Sequence, residues 1–269
     1  PILQDIRELV RSGKFTLGKQ VEEFEKQFAG LCQARYAIGV ASGTDALRLS
    51  LIALGIGPGD EVITTPMTFF ATVGAIATVG ATPVFVDIGD DFNLNPALIE
   101  KAVTPKTKAL LPVHWHGCPA EMECIQEIAG RHHLRIVEDA CMAMGAEIQG
   151  KRVGSFGNTG CFSLHPLKPI NVWGDGGMIV TNSAELNEKL LLLRNHGLLN
   201  RNECALYAYN SRLDPLQAIV GSHLMAEAPW IVNAKIKHGV YYDAGLANLP
   251  QVTIPPRDGK KKHVYHNYV

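Results

Sequence analysis

Helical and extended signals take turns along most of this 269-residue chain, and that alternation narrows the fold more than any other feature. Val21, Phe24, Phe28 and Leu31 recur at helical spacing, so 19–31 reads as an amphipathic helix. Residues 36–41 read as a short apolar strand, and the run after Ser42-Gly43-Thr44 as a helix ended by Gly55, Gly57, Pro58 and Gly59. Strands follow at 61–65, 83–88, 107–114, 134–138, 161–165 and 178–181, with helices at 69–79, 95–103, 121–131 and 184–194. The run 83–88 is apolar almost throughout, as expected of a strand covered on both faces. Such alternation specifies an α/β fold with a mostly parallel sheet wrapped by helices.

After about 195 the pattern changes. Residues 213–225 and 234–249 read as helices, Pro250, Pro255 and Pro256 break the chain, and Lys260, Lys261 and Lys262 read as a solvated turn. Residues 263–269 resemble the first strand of a new unit. The division expected is a large domain over 1–235 and, over 236–269, a long helix with the beginning of a small C-terminal domain. The chain starts at Pro1 without a Met, and both ends read as incomplete.

Charge and apolar runs exclude some classes. With 25 basic and 26 acidic side chains, nothing favours nucleic acid or an anionic membrane surface. No apolar run approaches the ~18 residues of a membrane-spanning helix, and no signal peptide is visible. Six scattered cysteines, none in a C-x-x-C pair, read as reduced thiols of a cytoplasmic protein. His114-x-His116 has the look of a metal pair on one strand face, but no third ligand with metal spacing accompanies it, so no metal is expected. No G-x-G-x-x-G turn follows the first strand, which counts against a dinucleotide-binding Rossmann domain.

Three segments carry chemistry. Ser42-Gly43-Thr44 sits between a strand and a helix, where backbone amides and hydroxyls can hold a phosphate. A plain Ser/Thr helix cap explains the same residues equally well. Glu138-Asp139 closes an apolar strand, and in an open α/β sheet such ends face the ligand crevice. A buried Asp there needs a cation, for which the protonated pyridine nitrogen of pyridoxal phosphate qualifies; a loop-capping Asp is the plainer alternative. Lys168 lies 29 residues beyond Asp139, on a loop between two apolar strands, placed to form a Schiff base with an aldehyde cofactor or else to snorkel to solvent.

Phosphate turn, strand-end acid and lysine come in the order seen in fold-type-I pyridoxal-phosphate enzymes. The chain resembles the DegT/StrS group of sugar-nucleotide aminotransferases along nearly its whole length. The motifs are Gly55-x-Gly57-Pro58-Gly59-Asp60-Glu61-Val62, Thr68-Phe69-Phe70-Ala71-Thr72, Gly80-Ala81-x-Pro83-Val84-Phe85-Val86-Asp87, Glu138-Asp139-Ala140, the segment from Ser163 to Lys168, and Arg212-Leu213-Asp214-x-Leu216-Gln217-Ala218. The resemblance implies a pyridoxal-phosphate-dependent transferase large domain with a seven-stranded sheet, followed by a smaller α+β domain. Relatives continue for roughly another hundred residues, about one compact lobe.

The resemblance also implies roles. Lys168 would be the Schiff-base lysine and proton shuttle, and Asp139 the partner of the pyridine nitrogen. Phe69 would stack on the ring, and Gly43, Thr44 and Ser163 would hold the phosphate. Asn210 would reach the phosphate of a neighbouring subunit's cofactor, implying a homodimer with shared active sites. Met142 stands where the family usually has Gln near the ring hydroxyl, so a weakly accepting thioether replaces that polar contact. Some relatives carry His at the lysine position and act as sugar dehydratases; Lys168 favours transamination. The implied reaction moves an amino group from glutamate to a nucleotide-linked keto sugar. The alternatives are a sugar dehydratase or epimerase of the same fold, or a non-catalytic regulator that binds the cofactor.

Overall fold

The computed structural model describes residues 1–269. A seven-stranded sheet forms its centre, in the order β1-β9-β8-β5-β4-β2-β3. The strands are β1 (Tyr36–Val40), β2 (Glu61–Thr64), β3 (Thr82–Phe85), β4 (Thr107–Leu110), β5 (Arg135–Asp139), β8 (Thr159–Ser163) and β9 (Gly177–Thr181). Only β9 runs antiparallel, between β1 and β8; the other ladders are parallel. The mostly parallel, seven-stranded α/β sheet expected from the sequence is therefore present.

Alternate side chains of the central strands enter different cores, as the two-residue strand period requires. Phe162 of β8 and Met178 of β9 pack on one face with Phe24 and Phe28 of α2 (Lys19–Leu31). Their neighbours Cys161 and Ile179 pack on the other face with Leu47, Leu49 and Leu51 of α3 (Gly43–Ala53). The Phe28 and Phe162 rings meet edge to face at 5.1 Å. Both faces are thus covered by helices, which explains the apolar runs in these strands. The flanking helices include α4 (Phe70–Thr78), α5 (Pro96–Ala102), α6 (Met122–His132) and α7 (Ala184–Leu193). Asn95 caps α5 by accepting from Ala97 N–H at 3.1 Å, with Pro96 at the first turn.

Several expectations need correction. The strand expected at 83–88 is β3, which lies at the sheet edge rather than under cover on both faces, with Phe85 51% exposed. Pro83 cannot donate to a ladder and suits an edge. A helix missing from the sequence reading, α1 (Ile2–Ser12), tucks Leu9 inward, and its Asp5 meets His223 of α8 (Pro215–Met225) at 2.6 Å. The long helix, α9 (Ala228–Leu246), begins earlier than expected, so residue 235 falls inside it.

The C-terminal end differs most. Lys261 and Lys262 form a short strand, β10, beside β6 (Glu147–Ile148) and β7 (Lys151–Arg152). They are not a solvated turn: Lys261 Nζ lies 3.1 Å from Asp91 and 2.5 Å from Glu121, and Lys262 Nζ lies 3.1 Å from Glu147. Residues 263–269 form no strand. They fold back as a strap onto the 3-10 turn Trp115–Gly117, bonded through backbone groups.

Candidate active site

The sheet ladders assemble the site. Val40 of β1 pairs with Gly177 of β9, and Gly177 pairs in turn with Ser163 of β8. Asp139 of β5 pairs with Cys161 of β8. The phosphate turn after β1, the lysine loop after β8 and the acid closing β5 therefore emerge along one edge, at the carboxyl ends of the parallel strands. This is where open α/β sheets bind ligands.

A cavity of about 410 Å³ opens there, lined by Gly43, Thr44, Phe69, Asp139, Met142, Ser163 and Lys168. The structure thus brings together every proposed site residue except Asn210, which is exposed outside this cavity. Asn210 forms an isolated bridge with Asn195. The neighbouring Ser211 donates to Asp45 of α3 at 2.7 Å, which ties the Asn210 segment to the start of α3.

At that helix start the capping and anion-binding readings coexist. Ser42 Oγ accepts from Asp45 N–H at 3.0 Å. The amides of Gly43 and Thr44 donate to nothing in the chain, as expected of the first helical turn. A Cβ on Gly43 would lie 2.8 Å from Ser163 Cβ and 3.1 Å from Cys141 Sγ, so only glycine lets the turn approach this wall. Two free amides, the Thr44 and Ser163 side chains and the α3 dipole converge on one spot, an arrangement suited to a phosphate.

Asp139 is 5% exposed. Its Oδ2 accepts from Thr72 Oγ1 at 2.7 Å and its Oδ1 from Cys141 N–H at 3.1 Å. It forms no ion pair within the chain. A buried carboxylate without a cation calls for one from a ligand. Lys168 is half-buried, also without an ion pair, on the loop between the buried strands β8 and β9. Its backbone N–H donates to His165 O at 2.8 Å. Burial and the neighbouring Asp139 push the Cys141 thiol well up, so it lines the wall as a neutral group.

Several lining residues were not singled out from the sequence: Thr72, Trp115, Cys141 and His266. Thr72 lies within a quoted motif, but its bond to Asp139 joins distant segments. His266 arrives on the terminal strap, which no local pattern places near Lys168. The expected His114–His116 strand pair does not form. β4 ends at Leu110, His114 is buried against Glu138 at 3.0 Å, and His116 sits in the 3-10 turn with φ +49°. A larger groove of about 970 Å³ lies beside 256–263, but its Lys261 and Lys262 are already paired with acids.

The profile of the DegT/DnrJ/EryC1/StrS aminotransferase family matches residues 1–269. The chain belongs to that family. It is 45% identical to the UDP-N-acetyl-3-dehydro-alpha-D-glucosamine 3-aminotransferase of Acidithiobacillus ferrooxidans, over 99% of this chain and 72% of that protein. Among solved structures, Streptomyces venezuelae DesV in complex with a ketimine intermediate superposes with a TM-score of 0.95 at 42% identity, covering 98% of this chain and 72% of DesV. Bacillus subtilis NtdA, solved with bound cofactor PMP, gives 0.91 at 35% identity over 98% of this chain and 61% of NtdA. Family membership makes this an aminotransferase, homologous to nucleotide-sugar transaminases. No helix is long and apolar enough to cross a membrane.

Proposed function

We propose that this aminotransferase uses pyridoxal 5′-phosphate to move an amino group from L-glutamate to a nucleotide-linked keto sugar, in amino-sugar biosynthesis. The observation that carries the reading is the meeting of Lys168, Asp139 and the free α3 amides in one cavity. The residues fit the cofactor, with an anion cradle, a buried acid lacking a cation and an unpaired amine. When bound, the cofactor supplies an electron sink that lets an amine's α-proton leave.

Each residue then has a task. The Gly43 and Thr44 amides bind the phosphate together with the Thr44 and Ser163 hydroxyls. Asp139 holds the proton on the pyridine nitrogen, and Thr72 and Cys141 N–H orient its carboxylate. Phe69 would cover the ring, and Met142 would add an apolar wall where a polar side chain is usual. Lys168, whose Nζ has no ion pair, would hold the cofactor and would move the donor's proton. Asn210, exposed beside α3, reaches the site of a second copy, which makes the working unit a homodimer with shared sites. The cofactor-binding domain, expected over 1–235, is completed by His266 on the strap within 236–269. Six free cysteines suit the cytoplasm.

The test is a panel of UDP-, dTDP- and GDP-linked keto sugars incubated with the full chain, pyridoxal phosphate and L-glutamate. One 2-oxoglutarate should appear per amino sugar formed. A sugar product without 2-oxoglutarate would point instead to dehydration or epimerisation, and no reaction with any sugar would refute the substrate class.

A further inference from the structure

The strap 263–269 belongs to no sheet, yet the fold fixes it closely. Val264 N–H donates to Gly117 O at 3.0 Å, and His266 N–H to His116 O at 2.8 Å. Lys235 Nζ of α9 donates to His266 O at 3.1 Å. Gly117 has φ +93°, and a Cβ there would stand 2.8 Å from Val264 Cγ2 and 3.1 Å from the backbone nitrogens of Tyr265 and His266. Gly239 of α9 leaves room for the Tyr265 ring, which a Cβ would meet at 2.6 Å. Close packing and hydrogen bonds thus determine where His266 stands.

That place is the wall of the cavity holding Lys168 and Asp139, and His266 is the one residue beyond Gly176 that lines it. Its Nδ1 is buried without a hydrogen-bond partner, a cost that a bound ligand can offset. Burial, with the Lys168, Lys235 and His116 charges, holds the ring's pKa down at about 4. The ring is therefore neutral at physiological pH. A neutral imidazole offers one donor and one acceptor, which complements a hydroxyl and gives no charge to a carboxylate. Trp115 lines the same cavity and supplies a flat apolar face beside it.

We propose that His266 contacts the acceptor substrate, hydrogen-bonding a hydroxyl of the sugar and so helping to select it. This rests on the nucleotide-sugar reading above. His266 makes and breaks no bond; it binds and orients.

The experiment uses the full chain loaded with pyridoxal phosphate, as wild type, His266→Phe and His266→Gln. UDP-N-acetylglucosamine, dTDP-glucose and GDP-mannose serve as stable stand-ins for the keto sugar, each titrated calorimetrically beside its bare nucleoside diphosphate. The wild type should bind one sugar nucleotide more tightly than the bare diphosphate. His266→Phe should weaken that sugar nucleotide about tenfold, the worth of one neutral hydrogen bond, and leave the diphosphate within about twofold. His266→Gln, which can still donate and accept, should recover most of the loss. Equal weakening of both ligands, or of neither, would overturn the role of His266 while leaving the substrate class standing. A wild type that binds no sugar nucleotide would overturn the substrate class and this assignment with it. If His266→Phe does not fold, the question passes to His266→Gln against His266→Ala in the same titrations, where indistinguishable affinities would equally overturn the role.

Discussion

Glu138 and Asp139 are adjacent on β5 yet share no side-chain partner. Glu138 is fully buried and accepts from His114 Nε2 at 3.0 Å and from the amides of Gly154, Phe156 and Gly157 at 2.7, 2.7 and 2.6 Å. Asp139 turns to the cavity, to Thr72 and Cys141 N–H. Successive side chains on a strand take opposite faces, so one acid anchors the loop before β8 while the other faces the ligand.

Glu138→Ala should therefore destabilise the fold. It strands His114 and three amides in a buried site, a loss of about 3–5 kcal/mol. Urea unfolding reads it directly, and a midpoint equal to wild type would refute the anchoring role.

Asp139→Asn should do the reverse. The Asn oxygen can still accept from Cys141 N–H while its amide donates to Thr72 Oγ1, whose own proton can turn to Thr68, so the melting curve should barely move. Losing a charge-assisted bond worth about 1.5–3 kcal/mol should lower turnover by roughly 10–150-fold. Unchanged turnover under saturating cofactor would exclude a pairing of Asp139 with the pyridine nitrogen.

Lys168→Ala should remove the covalent link to the cofactor. Borohydride should then fix no cofactor to the chain, as read by intact-protein mass, and turnover should fall by at least about 10²–10⁴-fold. Retained labelling would mean that another lysine carries the link.

Much of this site was legible because its chemistry sits at strand ends, which the sequence marks with sharp transitions. Asp139 closes an apolar run, Gly43 and Thr44 open a helix, and Lys168 interrupts two buried strands. The sequence showed two acids at 138 and 139 but not their division of labour, which depends on the 154–157 loop folding back over β5. His266 was hidden for the same reason: only packing through Gly117 and Gly239 brings the strap to Lys168. The edge position of β3 was marked by Pro83 alone, since its apolar residues read the same in a central strand and at an edge.

Acid should loosen the strap. Burial and the nearby Arg257 hold His263 at about 4 despite its hydrogen bond to His116 O, and His266 is held at about 4 likewise, against an ordinary 6.5. Asp243 pulls His263 the other way without prevailing. Because the unfolded state takes up these protons first, the stability that neutral rings provide is full above about pH 6.5 and is lost as pH falls towards 4. Protection against hydrogen exchange, taken relative to the intrinsic rate at each pH, should fall at the Val264 and His266 amides over that window by more than at β5 amides. A His263→Gln, His266→Gln double variant should flatten the difference.

The pairing of Asp139 with Cys161, and of Ser163 with Gly177 and then Val40, acts as a ruler. The spacing between acid, lysine loop and phosphate turn is written in main-chain ladders, and a one-residue slip would reverse every facing side chain. Wall residues such as Met142, Trp115 and His266 take no part in that measurement. A lineage can therefore exchange them to suit new sugars while inheriting the reaction geometry intact.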